Sequence, residues 1–502
     1  FYIHSINEWR APLLMYFTAP FVGLVGLNEW GVRLPNAVLG TFCVFLVFLL
    51  IKEMSRDTSM ALWGALITAI TPWHLHYSRS SFEVILLLCL ILLGVFFFLR
   101  KKRLLSAVFW GLTFYTYSTA NVFTPFFILF LLFLNKKEVK KEKKSYFKAG
   151  ILLAIIALPI IFNIFWGEAS SRFKSINIFN DEKTIDKIVF KRTTGLSDRT
   201  IERVFHNKAV DIGDNFLKNY FSAFSPQFLF LSGDPNPRHN VPIFGEFLWP
   251  MIFFLPIGMF TLLTNKIPKK EKIIILFWLF FSPIPASLTV DGANHATRLF
   301  VMIFPLIFLI SLGIKEFTNQ KWHRQIVVIL LFIFSGGLWW HEYLIHYPKE
   351  QAEYWRYGYK EALGWLEDNG GRFERIILNN NHDPILISYC FWAHKSPQWF
   401  WENFKSDKPI PDILPGFNGF SLENVYFGNI NTSSKQDWLV KNLDSKTVYL
   451  AFQKDEIPGD WDWEKDPPND LRVLKVVKDP LFNTPYIYLL TKNEEESKSE
   501  NN

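Results

Sequence analysis

Phe82–Leu99 reads FEVILLLCLILLGVFFFL and runs directly into Arg100–Arg103, RKKR. An apolar run of about 20 residues matches the thickness of a bilayer core, and a basic cluster at its end marks the cytoplasmic side. The pattern recurs along the chain. Leu34–Lys52 is a second block, and further candidate spans are Met60–Leu75, Leu104–Tyr117, Val122–Leu134, Phe147–Phe165, Phe247–Leu263, Ile273–Val290, Leu299–Ile314 and Ile326–Leu344. Pro12–Leu27 is also apolar but holds Pro20 and Gly23. Composition agrees: half of the 502 residues are hydrophobic, 18% are aromatic and 20% are charged. This excludes a soluble enzyme, a disordered chain and a nucleic-acid module. The formal net charge of +7 sits largely in short loops, so it reports membrane orientation rather than a polyanion partner. Cys43 and Cys89 lie inside apolar blocks and Cys390 stands alone, which implies no disulfide framework.

Basic clusters set the expected orientation. Arg100–Arg103, Lys136–Lys148, Lys266–Lys272 and Lys315–Arg324 face the cytoplasm, whereas the cation-poor loops Thr71–Ser81, Ser118–Asn121 and Asp291–Arg298 face outward. Leu104–Leu134 must then cross twice between two inside clusters, so its turn Ser118–Asn121 is expected below the outer surface, lining a cavity. The same parity lays Pro12–Leu27 along the outer interface. The expected fold is a polytopic α-helical membrane protein of about ten spanning helices plus an interfacial helix, over residues 1–345. Two large parts are outside: the mixed-polar loop Trp166–Glu246 and an α/β domain over 346–492. That domain starts with a helix at Gln351–Asp368 and has strands at Arg375–Leu378, Thr447–Phe452, Leu471–Val477 and Tyr486–Leu490. Residues 493–502 read as a disordered tail.

Ionisable residues cluster at the outer ends of the spans. The clusters are His74, His76, Arg79 and Glu83 in PWHLHYSRSSFE; Asp291, His295 and Arg298 in DGANHATRLF; Asp234, Arg238, His239 and Glu246 in SGDPNPRHNVPIFGE; and Glu8 and Arg10 in INEWRAPL. Charges near membrane depth are costly unless they face a wet cavity or a partner. Plain structural readings stand beside this one. His74 and His76 belong equally to an aromatic belt with Trp73 and Tyr77, Arg79 and Glu83 have ion-pair spacing, Arg298 has the length to snorkel, and Asp234–Asn240 is rich in turn formers. What favours function is that all clusters share one side. Together they make a cationic, aromatic-walled pocket that suits a polyprenyl phosphate, with its head among Arg and His and its tail along Phe-rich helices.

The order EWRAPLLMYFTAPFVGLVGLNEWGVRLPNAVLGTF followed by TPWHLHYSRSSFE resembles the bacterial dolichyl-phosphate-mannose–protein mannosyltransferase-like proteins. These are C-type (GT-C) membrane glycosyltransferases, a group that includes the lipid A aminoarabinose transferases. FSPQFLFLSGDPNPRHN, ASLTVDGANHATRLF and YWRYGYKEA extend the likeness to about Tyr359. The resemblance implies transfer of a sugar from a polyprenyl-phosphate donor to an acceptor outside the membrane, with inversion. It implies a carboxylate that takes the acceptor's proton and cations that hold the leaving phosphate. Arg79 and Arg298 are the expected phosphate ligands, with His295 and Arg10 assisting; His74, His76, Asp234, Arg238, His239 and Asp291 line the pocket. The family's catalytic acid precedes the Trp9–Leu14 block, so it is expected upstream of Phe1, the chain reading as a truncated piece. Glu8 and Glu83 are the secondary candidates. No cofactor is demanded. A divalent metal stays open, with Asp234, Asp291 and the histidines as donors, although their spacing matches no compact ligand motif. The expected partners are a polyprenyl-phosphate-linked sugar, an extracytoplasmic acceptor and the bilayer, in the plasma membrane. The alternatives are a transporter or flippase of lipid-linked sugars and a non-catalytic surface-assembly protein; the sugar and the acceptor class stay open.

Overall fold

The computed structural model describes residues 3–5, 8–166, 176–179, 183–195, 199–264, 267–380, 384–406, 408–457, 461–468 and 470–493. They divide into two compact units, Phe1–Ile345 and His346–Asn502. The first unit opens with an antiparallel pair, β1 (Ile3–Ser5) and β2 (Glu8–Arg10). Helix α1 (Leu13–Val25) follows; its 13 residues span about 20 Å, less than a bilayer core of about 30 Å. Next come α2 (Glu29–Ser55), α3 (Thr58–Ile70), α4 (Pro72–Arg79), α5 (Glu83–Leu99), α6 (Arg103–Thr113), α7 (Thr119–Leu134), α8 (Lys136–Lys141) and α9 (Lys143–Trp166). Asn28 and Asp57 start α2 and α3 by accepting the N–H groups of Gly31 and Met60, which fixes both starts by side-chain capping.

The stretch expected as the loop Trp166–Glu246 is helical over much of its described length: α10 (Lys183–Thr194), α11 (Arg199–Phe205) and α12 (Lys208–Ser222). Its mixed polarity reflects helices with one apolar face rather than open loop. The unit closes with α13 (Met251–Thr264), α14 (Lys269–Phe281), α15 (Ala296–Thr318) and α16 (Trp322–His341). Among the described residues, four helical runs are long and apolar enough to cross a membrane: Glu29–Ser55, Lys143–Asn163, Ala296–Thr318 and Trp322–Glu350. A fifth is added if α4 and α5, bent by 116°, count as one broken span. The expectation of about ten spans rests on apolar runs; helix length supports four or five, because breaks shorten the others. The apolar block Ile273–Val290, for example, leaves its helix at Phe281. The turn Ser118–Asn121 is packed against protein, with Thr116 and Thr119 buried and Ser118 exposed.

Charges sort to opposite helix ends. Arg100 after α5 pairs with Glu53 near the end of α2 at 2.7 Å, and Lys315 near the end of α15 pairs with Asp57 at 2.5 Å. Lys101 and Arg103 both reach Glu138 in α8, at 2.9 and 3.2 Å. The other ends of α2, α5 and α15 carry the second polar group described below. Between the two ends, α13 and α15 touch backbone to backbone. A Cβ on Gly258 would lie 1.8 Å from the Leu309 carbonyl oxygen, and one on Gly313 would lie 2.0 Å from that of Phe254. Small residues permit such close helix approach. Gly258→Leu or Gly313→Leu is expected to force the helices apart and cost at least about 1–3 kcal/mol, read as a lower unfolding temperature in detergent.

The second unit is an α/β domain around a seven-stranded sheet of order β4-β5-β6-β3-β7-β9-β8. The strands are β3 (Arg375–Asn379), β4 (Ile410–Leu414), β5 (Phe417–Leu422), β6 (Val425–Ile430), β7 (Thr447–Phe452), β8 (Leu471–Lys478) and β9 (Pro485–Lys492). Central β3 runs parallel to β6 and β7, and the remaining pairs are antiparallel. All six residues of β7 are buried, as expected of a central strand covered on both faces. Ile376, Leu378, Val448 and Leu450 pack on one face with Leu363 and Leu366 of α17 (Tyr359–Asn369). Ile377, Tyr449, Tyr488 and Leu490 pack on the other with Trp438 and Leu439. The expected helix Gln351–Asp368 is shorter at its start: Arg356 and Gly358 have φ of 56° and 85°, so a continuous helix forms only from Tyr359. The expected tail lies, beyond Asn493, outside the described residues.

Behind β7, Glu456 is buried; it accepts the Tyr449 hydroxyl and, at 2.9 Å, the Phe452 N–H. Burial pushes its carboxyl up to about 7, against the hydrogen bonds from Tyr449 and Phe452, which favour the charged form. A carboxyl raised above its unfolded value of about 4.3 contributes stability that is full below that value. This contribution, on the order of 3 kcal/mol, is lost as pH rises towards 7. Pulse proteolysis of this unit in urea is expected to show it, and Glu456→Gln to flatten that pH dependence.

Candidate active site

The site begins with α4, which the composition of Thr71–Ser81 disguised as a loop. Pro72 stands at its first turn, where its missing N–H costs nothing. Trp73 packs edge-on against Phe228, Phe247 and Phe300 with centroids 5.6, 6.1 and 5.6 Å away, and its backbone N–H donates to the Glu246 carbonyl at 3.0 Å. Tyr77, one turn on, stacks between Phe82 and Phe300, and its hydroxyl shares a 2.8 Å hydrogen bond with Thr297. His76 Nε2 donates to the Arg238 carbonyl at 2.8 Å, which leaves Nδ1 to accept the Tyr343 hydroxyl at 3.2 Å. The chain then breaks at Ser80–Phe82, with Ser81 at φ 58°. Asn36 holds the break by donating to the Phe82 carbonyl at 2.8 Å.

This break decides the fate of Arg79 and Glu83. Pairing at i,i+4 requires one continuous helix, and a 116° bend lies between them. Glu83 pairs instead with Arg10, at 3.2 Å. Arg79 is exposed and its guanidinium lies 4.9 Å above the Tyr343 ring. Glu8 sits in β2 opposite Ser5, so Arg10 and Glu8 enter on one short strand.

A second segment, Ser232–Asn240, folds over α4. Gly233 has φ 65° and a Cβ there would strike the Asn240 side chain, which donates to the Ser232 and Phe244 carbonyls at 2.7 Å each. Inside this turn Asp234 is almost fully engaged. One carboxylate oxygen accepts the Asn236 N–H at 2.8 Å; the other accepts the Ala296 N–H at 2.8 Å and His239 Nδ1 at 2.9 Å. Its own N–H donates to the buried Glu246 carboxyl at 3.1 Å.

The third segment, Asp291–Arg298, completes the group. His295 stacks on His239 at 4.9 Å, with its Nδ1 4.0 Å from Asp234. Arg298 is buried and forks onto Asp291 at 2.5 and 3.1 Å, with a further bond to Thr289 at 2.6 Å. The structure thus brings Asp234, His239 and His295 together across the sequence, each giving one donor atom within 4.8 Å of the others. Their spacing in the sequence matches no compact ligand motif; the grouping is spatial, not sequential. Phe82 bridges this group to α4, its ring 5.6 Å from that of His239.

His74 is not part of this cluster. Two residues from His76, it points to the opposite side of α4 and lines an apolar cavity of 710 Å³ with Gly40, Phe45, Phe48, Leu62 and Arg79. Among residues that sequence reasoning passed over, Asn36, Tyr77, Thr297 and Tyr343 hold the site together. Only Tyr77 carried a signal, its four-residue spacing from Trp73. Asp234→Ala strips three donors of their acceptor in a buried setting and is expected to cost about 1–3 kcal/mol per orphaned group. Thermal unfolding should show it to be clearly worse than Asp234→Asn, which keeps an acceptor oxygen.

Comparison with known proteins finds a partial family match. Residues 9–163 match the family model described as dolichyl-phosphate-mannose-protein mannosyltransferase. Two proteins of Bacillus subtilis (strain 168), whose names assign them provisionally as mannosyltransferases, are similar. YycA is 28% identical over 172 residues, 32% of this chain and 25% of its own length. YkcB is 32% identical over 148 residues, 28% of this chain and 20% of its own length. The chain therefore matches a quarter or less of the length of either relative. Among solved structures, the Archaeoglobus fulgidus oligosaccharyltransferase tethered to an acceptor peptide aligns with a TM-score of 0.44 at 14% identity, covering 78% of this chain and 56% of that one. ArnT from Cupriavidus metallidurans, bound to undecaprenyl phosphate, aligns with a TM-score of 0.40 at 11% identity, covering 96% and 90%. Over Trp9 to Asn163 the chain is similar to the dolichyl-phosphate-mannose–protein mannosyltransferases.

Proposed function

We propose that this chain is a membrane glycosyltransferase that moves a sugar from a polyprenyl-phosphate donor to an acceptor outside the cytoplasm. The observation that carries the reading is the convergence of Arg10, Arg79, Glu83 and the Asp234–His239–His295 group on α4, within and beside the stretch that matches the mannosyltransferase family. A transporter would concentrate ionisable residues near the middle of its helices. Here they lie at helix ends, which favours a reaction at an interface.

In the proposed reaction an acceptor hydroxyl attacks the anomeric carbon while the bond from that carbon to the phosphate oxygen breaks, inverting the centre. Among the described carboxylates, Glu83, paired with Arg10, and Glu8 on the adjoining strand remain secondary candidates to take the acceptor's proton. Arg79 meets the phosphate first, being exposed, whereas Arg298 is already held by Asp291 and serves the phosphate only if that carboxylate gives way. Arg238 is exposed at the rim, and His76 is committed to the Arg238 carbonyl, so His76 shapes the pocket. The proposed placement is the plasma membrane, with the site end and the second unit on the outer side, by the basic clusters at the other helix ends.

The test is transfer of radiolabelled sugar from polyprenyl-phosphate donors in membranes carrying the protein. Wild type should transfer. Arg79→Ala should lose about 10- to 100-fold, the worth of a charged hydrogen bond of about 1.5–3 kcal/mol, with expression and folding unchanged. Transfer unaffected by Arg79→Ala would remove the phosphate assignment, and transfer unaffected by Arg10→Ala would remove a role for the Arg10–Glu83 pair.

A further inference from the structure

We infer that Asp234, His239 and His295 bind one divalent transition-metal ion of the zinc class. The inference shares residues with the site for which glycosyl transfer is proposed, but it is read by metal occupancy and stands or falls apart from activity. Two imidazoles and a carboxylate make a donor set typical of zinc centres that keep a further position open. The donors come from segments far apart in sequence, and their atoms all lie within 4.8 Å of one another. Zinc holds nitrogen and oxygen donors at about 2.0–2.2 Å, so its donors sit roughly 3–4 Å from each other. The His239 nitrogen is 2.9 Å and the His295 nitrogen 4.0 Å from the same Asp234 oxygen, close to that requirement without backbone movement.

Two further observations point to an ion rather than to a simple hydrogen-bonded cluster. First, His295 Nδ1 is buried without a hydrogen-bond partner although it faces a carboxylate 4.0 Å away. A buried polar atom left unpaired is costly, and an ion between the two would satisfy it. Second, the carboxylate is held from behind. The Asn236 and Ala296 N–H groups fix its two oxygens at 2.8 Å each, as outer partners do for metal-bound carboxylates. Stacked histidine rings 4.9 Å apart are then explained as two ligands turned towards one centre. Asp291 is not in the set, because Arg298 occupies both of its oxygens. A bound cation would also place positive charge beside the buried Glu246 carboxyl, which contacts the Asp234 N–H. Chemically, such an ion with an open position offers a docking point for a phosphate oxygen or a hydroxyl.

The full chain, purified in detergent and stripped with a chelator, should bind Zn²⁺ at one ion per chain by calorimetry. It should also give the visible absorption of tetrahedral Co²⁺ on cobalt addition, and Mg²⁺ should not compete. His239→Gln and His295→Gln should each weaken Zn²⁺ binding at least about tenfold while keeping the size-exclusion profile of wild type. Stripped wild-type protein that takes up neither Zn²⁺ nor Co²⁺ would overturn the assignment, whatever the variants do. So would binding that survives both substitutions together, which would put the ion elsewhere.

Discussion

The 116° turn between Pro72–Arg79 and Glu83–Leu99 is the constraint on which the rest of the site depends. A continuous helix would carry His76, Tyr77 and Arg79 along one axis, out of reach of the later segments. Bent over, α4 lies beneath two later chain segments and makes three bonds to them: to Glu246 through Trp73, to Arg238 through His76 and to Thr297 through Tyr77. The aromatic packing around Trp73 and Tyr77 supplies the apolar burial that compensates for a polar helix in this position. Close packing reinforces it, since a Cβ on Gly40 of α2 would lie 2.2 Å from the Ser78 hydroxyl of α4.

Segregation of charge follows from the same architecture. At one end of the helices, cations pair with Glu53, Asp57 and Glu138 across neighbouring elements. At the other end, carboxylates and cations from distant segments gather in a polar group walled by Phe82, Phe228 and Phe300. Between them, the Gly258–Gly313 contact lets two helices meet at backbone distance. A lipid-linked substrate of the kind proposed presents the same division, a long apolar body and a charged head, and so matches this layout in kind.

Much of this was legible in the sequence where a single period or block decides the local structure. Apolar blocks gave long helices such as Glu29–Ser55, and Thr447–Phe452 reads as a strand from its β-branched and aromatic content. Failures cluster where tertiary structure overrides local signals. Ile410–Leu414 and Phe417–Ile430 hold Pro, Gly and Asn in their strands and look like loop. Thr71–Ser81 looks like loop because its helix is stabilised by other segments rather than by its own composition. For the site, the ionisable residues stood out by their cost near a membrane, but their pairing did not. The partner of Glu83 lies 73 residues away at Arg10, and His295 meets Asp234 from 61 residues beyond it, distances that no local spacing rule reaches.

The most direct test of the central claim, that the α4 end of the helices receives a lipid-linked phosphate, is photo-crosslinking with peptide mapping. The probe is a polyprenyl phosphate bearing a photoreactive group next to the phosphate, and the protein is the full chain in membranes. The account predicts labelled peptides from Pro72–Glu83, Ser232–Asn240 and Asp291–Arg298, with labelling competed by unmodified polyprenyl phosphate. Labelling confined to Arg100–Arg103 and Lys136–Lys148, or to the second unit, would contradict it.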